Sequence, residues 1–230
     1  MTVDLTDITL DKGKHKTPDD GMCLIEACAY VSGEPFTDHP HCVSELLSET
    51  GRALNDLLPN HERQKLAPLI PYLIRTAGDG LDEQRSGLAW AWIVHVYAPT
   101  WLRLAGLNDH AATLETADPD DALPLLIAAR NAAWTATRDV ALNVAVGDVA
   151  RNANWDVAWD AAAWSPAAGD DAWDAAWEAA WEAIAKAVQV AAGDDEPGAA
   201  LRPTSNALRA SFINVYRDMV MLNKGPEPTP

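Results

Sequence analysis

Three cysteines and two histidines lie within a short stretch of the chain and could act as metal ligands: Cys23, Cys28, His39, His41 and Cys42. Thiolates and imidazoles are the ligands that zinc takes in tetrahedral sites. The spacing is unfavourable, because Cys23 and Cys28 would point about 140° apart on one helix. We therefore expect no metal and no cofactor, with Cys23 and Cys28 as small buried residues. The alternative is a zinc-stabilised regulator that uses Cys23, His39, His41 and Cys42.

A second candidate chemistry is nucleophilic catalysis by Cys23. Residues 20–24 read Asp-Gly-Met-Cys-Leu, and a thiol at a helix N-terminus has a lowered pKa. This stretch resembles the nucleophile motif of ovarian-tumour-type cysteine peptidases, which implies Cys23 as the nucleophile. That family has an aromatic residue where this chain has Ile25. Its catalytic histidine lies late in the chain, on a strand, and is followed by an aromatic residue, whereas His95 here lies in a helical context. We expect no catalytic residue, and keep a cysteine hydrolase with Cys23 and His95 as the alternative.

The third candidate is a surface of tryptophans and acids. Between residues 155 and 182, tryptophan recurs in steps of four residues, first at 155 and 159 and then at 173, 177 and 181. An acid follows each of these tryptophans. Residues four apart advance about 400°, so each row drifts only about 40° per step and forms a continuous ridge on a helix. Arg130, Trp134 and Arg138 form an earlier ridge with the same step. The predicted binding residues are Trp155, Trp159, Trp173, Trp177, Trp181, Asp174, Glu178 and Glu182.

The ridge has a structural and several functional interpretations. In the structural one, Trp and Ala pack helix against helix while Asp and Glu form the solvated face. In the functional ones, an exposed aromatic row marks a partner surface or binds sugars or peptides. Ordered carboxylates could also imitate DNA phosphates and engage a basic protein. We favour self-association or a host-protein interface.

Charge and targeting patterns exclude several classes of protein. The chain has 34 acids and 17 bases, a net charge of −17, so it lacks the cations for direct nucleic-acid or anionic-membrane binding. Residues 1–7 have no secretory-signal pattern, and the apolar stretch 88–107 is interrupted by His95, Pro99 and Arg103. Three cysteines cannot all pair with one another. We expect a cytoplasmic protein with no membrane contact.

Prolines, glycines and capping residues divide the chain into predicted helices. Residues 1–17 predict a short strand or an extended arm. The helices are expected over 18–32, 43–58, from 60 with prolines inside, from 82 to a break at Pro99, 108–116, 119–164, 170–192 and 204–223. Residues 193–203 predict a linker.

The composition changes at Asp118-Pro119, where an aspartate followed by a proline favours a helix start. We predict an all-α helical bundle with long Ala/Trp-rich helices. Its two parts are an N-terminal helical module over 1–117 and an Ala/Trp/Asp-rich region over 118–230 that a C-terminal helix closes.

Two blocks of the sequence resemble a known group of proteins. The first is DGMCLIEACAYVSGEPFTDHPHCVS, starting at Asp20, and the second is WLRLAGL, starting at Trp101. Both are similar to uncharacterised proteins encoded by actinobacteria and their bacteriophages, whose members often continue into Ala-rich helices with repeated Trp. The resemblance implies a phage or actinobacterial cytosolic protein and no particular activity. Together with the ridge, it predicts a non-enzymatic protein-interaction or structural module that binds itself or a host protein.

Overall fold

The computed structural model describes residues 8–137, 155–191 and 197–222, and in these ranges the all-α prediction is confirmed. The described ranges contain helices and no strand. The chain divides into two units. One takes residues up to Arg85 together with those from Tyr216 onward, and the other spans Ser86–Val215.

Short helices separated by prolines and glycines form the first unit. Helix α1 starts after Cys23 and ends at Gly33, whose left-handed backbone (φ 79°) suits a glycine. A 3₁₀ turn over Gln64–Leu69 holds Pro68, which has no amide hydrogen for an α-helical bond. The helices are α1 (Leu24–Ser32), α2 (Glu45–Leu57), α3 (Asn60–Arg63), α4 (Ile70–Leu73) and the start of α5 (Asp82–Trp92).

The N-terminal arm is held in place without forming a strand over residues 8–17. The Leu10 backbone exchanges two hydrogen bonds with the Gln64 side chain, at 2.9 and 2.8 Å. The Gly13 amide donates to the Asp56 carboxylate at 2.8 Å. Side chains thus satisfy the backbone groups that a sheet would otherwise pair. Of the predicted alternatives, the arm is the one seen; residues 1–7 lie outside the described part.

The end of the last helix, α11 (Pro197–Met221), belongs to the first unit and is fixed there by two buried polar contacts. The Tyr216 hydroxyl donates to the Leu47 carbonyl at 3.0 Å. The fully buried Arg85 donates to the Met219 carbonyl at 3.1 Å and pairs with two aspartates. Buried polar groups need such partners, so these bonds set the position of the helix end.

The second unit contains the remaining helices. Residues 82–104 follow one helical path in which a π-helical turn, Ile93–Tyr97, precedes Pro99. The predicted break at Pro99 is therefore wrong: the proline lies in the first turn of the next segment, where a missing amide hydrogen is tolerated, and a π turn widens the preceding helix. The helices are α6 (Ala98–Leu104), α7 (Asn108–Glu115), α8 (Leu123–Thr137), α9 (Trp155–Ala162), α10 (Asp170–Ala191) and α11 up to residue 215.

Alanine-rich faces make the main helix contact of the second unit. Helix α10 packs against α8 and α6, and α7 packs against α6 and α8. The alanines on the inner face of α10 are fully buried, which lets neighbouring backbones approach closely. Residues on both sides of 117 therefore share one unit. The two modules predicted from composition, with their boundary at 117/118, stay a prediction, because these units are defined by packing alone.

The chain before α11 also differs from its prediction. Helix α11 begins at Pro197 and includes Pro203, whereas residues 193–203 predict a linker. Within the predicted helix over 119–164, for which the sequence also offers a division at Gly147, the described residues form a 3₁₀ turn at Pro119–Asp121 and helix over Leu123–Thr137 and Trp155–Ala162. Residues 138–154 and 192–196 lie outside the described part of the chain.

Candidate functional site

Cys23 precedes α1 as its N-cap, as the motif predicts. Its sulfur accepts the Glu26 amide hydrogen at 3.4 Å, and the Glu26 carboxylate accepts the Cys23 amide hydrogen at 2.8 Å. This reciprocal pair is a capping box, which satisfies two amide groups that a helix start leaves open. Both side chains are buried, so the motif has a clear structural role at this position.

Glu26 is a fully buried carboxylate, and His15 is its partner. The Glu26 oxygens accept the His15 amide hydrogen at 2.7 Å and lie 2.8 Å from the His15 ring nitrogen Nδ1. A buried carboxylate without such bonds would be strongly unfavourable. The sequence suggests Lys14, Lys16 or His39 as the partner; the histidine between the two lysines takes that place instead.

The environment of Cys23 opposes thiolate chemistry. Burial, with a smaller contribution from the negative charge of Glu26, raises the pKa of Cys23 to about 12. A nucleophilic cysteine needs a lowered pKa and access to substrate. His95, its predicted alternative partner, has its Nε2 2.9 Å from the Ala117 carbonyl oxygen. The geometry therefore favours the structural role of Cys23 over the hydrolase alternative.

The residues of the alternative zinc site take other partners. The His39 ring lies 3.4 Å from the Arg52 guanidinium, and the Cys42 thiol lies 3.5 Å from the Ser32 hydroxyl. The His41 backbone amide donates to the Glu34 carboxylate at 2.7 Å. Within the described ranges, no group of three or more His, Cys, Asp or Glu side chains could hold a metal ion. The structure does not collect the four predicted ligands into a site.

The tryptophan row of α10 is a continuous stack. The rings of Trp173 and Trp177 lie 5.8 Å apart and nearly parallel, and those of Trp177 and Trp181 lie 5.7 Å apart. Trp159 of α9 is buried and meets Trp173 edge-on at 5.0 Å. The side chain of Trp155, also a predicted binding residue, lies outside the described part. The predicted helical ridge is present, with one flank packed on α9 and its three α10 indoles partly exposed.

The row of acids beside this stack is exposed at its start and nearly buried at its end. Asp174 and Glu178 are exposed, whereas Glu182 is only 8% exposed. A row with four-residue spacing rotates about 120° over the twelve residues from Asp170 to Glu182. That drift carries Glu182 from the solvated face to the side that meets α8. The expectation that the acids form only a solvated face is thus wrong at Glu182.

A cleft of about 300 Å³ opens where α8 and α10 meet. The Arg130 guanidinium lies 3.3 Å from the Glu178 carboxylate at its rim, and Trp134 is 63% exposed beside it. The cleft thus combines an indole, carboxylates and one cation. Its lining residues are Arg130, Asn131, Trp134, Glu178 and Glu182.

Sequence reasoning placed Arg130 and Trp134 on a ridge but did not include them, or Asn131, among the binding residues. The signal was present in the helical period. Leu126, Ala129 and Ala133 are buried and form the core stripe of α8, and Trp134 lies about 100° from Ala133. Trp134 lies off that stripe, and its side chain is exposed. Arg138, the next residue of that ridge, lies outside the described ranges.

Comparison of the chain with protein-family models, with curated proteins and with solved structures gives no match. The fold class is all-α, with clustered tryptophans in the second unit. In the part of the chain that the structure describes, no helix has the length and apolar character needed to cross a membrane.

Proposed function

We propose that this protein is a non-enzymatic interaction module that binds a basic segment of another protein through the acidic tryptophan face of α10. The observation that carries the proposal is the partly exposed stack of Trp173, Trp177 and Trp181 beside the exposed carboxylates Asp174 and Glu178. Tryptophan is enriched at the centre of protein interfaces, because it buries a large area at small entropic cost. Carboxylates beside it select a cationic partner.

Charge favours a different protein over a second copy of this chain. The chain has a net charge of −17, and α10 has five acids against one base, Lys186. Two copies that met through this face would bring like charges together, which opposes association. A basic partner would instead be steered toward it. Light scattering of the purified protein, described below, would detect self-association.

The spacing of the carboxylates favours a basic protein segment over the DNA-mimic alternative. Helix α10 has 22 residues and is about 33 Å long, so its five acids supply roughly one carboxylate per 7 Å. Duplex DNA has one charge per about 1.7 Å of axis. The face of α10 by itself is far sparser than a phosphate backbone. It suits a few Lys or Arg side chains between which apolar surface meets the indoles.

The setting that we propose is the bacterial cytoplasm, from the resemblance to actinobacterial and phage proteins and from the unpaired cysteines. A cell lysate of an actinobacterial host is therefore the first source of partners. The interaction should weaken as salt screens the carboxylates, with a screening length of about 10 Å at 0.1 M.

The test compares two matched variants in affinity capture from that lysate. Asp174→Asn/Glu178→Gln removes two charges from the proposed face. Asp120→Asn/Asp121→Asn removes two exposed charges elsewhere in the same unit. We expect the first variant to lose the specific partner and the second to keep it. The captured protein is then purified and its affinity for each variant measured directly.

Light scattering of the purified protein completes the test. A monomer that loses its partner only with Asp174→Asn/Glu178→Gln is the expected result. Equal capture by both variants would contradict the proposal, because the face would then contribute nothing specific. A stable dimer that the same variant dissociates would replace the outside partner with self-association.

A further inference from the structure

We propose that the cleft between α8 and α10 is a receptor for one arginine side chain of the partner, and this inference rests on the proposed function. The cleft of about 300 Å³ lies at the small end of the range for ligand pockets, about 300–1,000 Å³. It suits a single side chain better than a nucleotide or a large cofactor. Glu178 belongs both to the cleft and to the acidic face, so the two surfaces are continuous.

Charge balance identifies the ligand as a cation. The charged lining residues are Arg130, Glu178 and Glu182, whose formal charges sum to −1. Because the bound arginine takes the place of Arg130 at Glu178, it meets two lining carboxylates, which favours a cation over a neutral or negative ligand. Glu182 is nearly buried, so its carboxylate is less screened by solvent than a surface acid and discriminates more strongly for a positive ligand.

Trp134 favours a guanidinium over an ammonium ion. Its indole side chain is 63% exposed and lines the cleft, an unusual exposure for a tryptophan. A guanidinium stacks on an indole and donates two parallel hydrogen bonds to a carboxylate, which a lysine ammonium does not. Asn131 also lines the cleft, and its carboxamide oxygen is a hydrogen-bond acceptor.

Arg130 is the competitor that an incoming arginine meets. Its guanidinium lies 3.3 Å from the Glu178 carboxylate, and both side chains are solvent-accessible. Ion pairs of this kind contribute little to stability, so the ligand can replace Arg130 at Glu178 at small cost. The side chain of Arg130 then swings toward solvent. Binding is an exchange of one guanidinium for another at the same carboxylate.

The experiment uses acetyl-Gly-Arg-Gly-amide as the probe on the full-length protein at physiological ionic strength. Its citrulline analogue has nearly the same shape without the charge, and its lysine analogue keeps the charge without the planar group. Binding is followed by NMR through the indole N–H signal of Trp134, assigned from Trp134→Phe. We expect the arginine peptide to shift this signal and to bind at least tenfold more tightly than the citrulline peptide, with lysine in between.

Two variants at exposed residues test where the peptide binds. The remaining NMR signals of each variant are compared with those of the wild type to show that it is folded. Since Trp134→Ala lacks the reporting indole, the affinity of every variant and of the wild type is also measured by isothermal titration calorimetry, and Trp134→Ala is expected to weaken binding of the arginine peptide at least tenfold. Trp164→Ala removes another exposed indole of the same unit, 44% exposed and not part of the cleft lining, and should leave the affinity unchanged. Equal binding of arginine and citrulline peptides, or unchanged affinity in Trp134→Ala, would overturn the inference.

The two proposals fail separately. If the arginine peptide does not bind while Asp174→Asn/Glu178→Gln still loses the partner, the cleft inference is wrong and the acidic face remains the interface. If the peptide binds at Trp134 but the charge variant keeps its partner, the cleft is an arginine site and the proposed function of the α10 face is wrong. Failure of both measurements removes both.

Discussion

The indole rings of Trp173 and Trp177 stack with their centroids 5.8 Å apart and their planes 3° from parallel. Successive turns of one helix impose this relationship, since residues four apart lie on the same side. The Trp159 ring, from α9, meets both rings nearly edge-on, at 5.0 and 6.1 Å. The stack therefore serves the fold on one flank and leaves the other partly open. Stability and binding must be separated in any mutational test of this surface.

Replacement of Trp177 by alanine should destabilise the protein by about 2 kcal/mol. A buried large aromatic side chain contributes about 3–5 kcal/mol, and Trp177 is partly exposed. Urea unfolding followed by far-UV circular dichroism measures the change. Trp164→Ala, at an exposed position, should stay within about 0.5 kcal/mol of the wild type. An equal effect of the two substitutions would show that the stack contributes no packing energy.

Gly51→Ala should destabilise the first unit by about 1–3 kcal/mol, because a Cβ at this position would overlap the Tyr216 hydroxyl and lie 3.0 Å from Ile25 Cδ1. Gly87, also within a helix, has no neighbouring atom within 4 Å of such a Cβ. Gly87→Ala should therefore stabilise by up to about 1 kcal/mol. Thermal unfolding should therefore show a lower midpoint for Gly51→Ala and a higher midpoint for Gly87→Ala than for the wild type.

A double-mutant cycle identifies the source of the Gly51 effect. Tyr216→Phe removes the hydroxyl that the new Cβ would meet, together with its hydrogen bond to Leu47. Gly51→Ala should cost less in the Tyr216→Phe background than in the wild type. Additive effects would mean that the hydroxyl is not the source of the strain.

The three thiols should react slowly in the native protein. Burial raises the pKa of Cys23 to about 12 and that of Cys28 well above its usual value. Burial also raises the pKa of Cys42, which is partly exposed. At neutral pH a thiol reagent should modify at most Cys42 while the protein is folded, and all three thiols in denaturant. Rapid native modification at Cys23, located by peptide mapping, would restore the hydrolase alternative.

The ion pair of Asp38 and Lys14 should contribute a pH-dependent part of the stability. Burial by itself would raise the pKa of Asp38, but the 2.7 Å hydrogen bond and the charge of Lys14 outweigh it and hold the pKa below the usual 3.8. The folded state thus favours the carboxylate. This contribution is present above pH 3.8 and is lost as the pH falls through the lowered folded-state pKa.

Asp38→Asn tests the sign. At pH 7 the variant should be less stable than the wild type by at most about 1 kcal/mol, since Lys14 is largely exposed. Urea unfolding as a function of pH should show this difference shrinking in acid. Glu49→Gln, at an exposed position in α2, is the matched control that removes one acid and leaves the Asp38–Lys14 pair intact. If the difference in unfolding free energy between the wild type and Asp38→Asn stayed constant or grew as the pH fell, the lowered pKa of Asp38 would be contradicted.

Local signals predicted several elements well. The end of α1 at Ser32, which the left-handed residue Gly33 follows, and the helical break between 164 and 170 depend on chemistry within a few residues. The break predicted at Pro99 and the linker predicted up to Pro203 are wrong, because each proline lies inside a helical path. A proline signals a break by its missing amide hydrogen, and packing can outweigh that local preference.

The predicted binding residues likewise include some that local helix geometry places correctly and some whose position depends on packing. The period of four predicted the indole stack, because helix geometry alone places Trp173 and Trp177 together. It could not predict that Glu182 turns inward or that Trp134 faces a cleft, because both depend on how α8 lies against α10. The partner of Glu26 was likewise missed, since His15 reaches it only through the path of the arm.

The sequence by itself determined the helical class, the element boundaries set by caps and the ridge on α10, since each depends on contacts within a turn or two of the chain. Tertiary structure decided which faces are covered, which carboxylates stay in water and where the units divide. These outcomes depend on contacts between residues far apart in sequence, such as Tyr216 with Leu47 and Arg130 with Glu178. No local pattern encodes such pairs, because they are chosen by the packing of whole helices against one another.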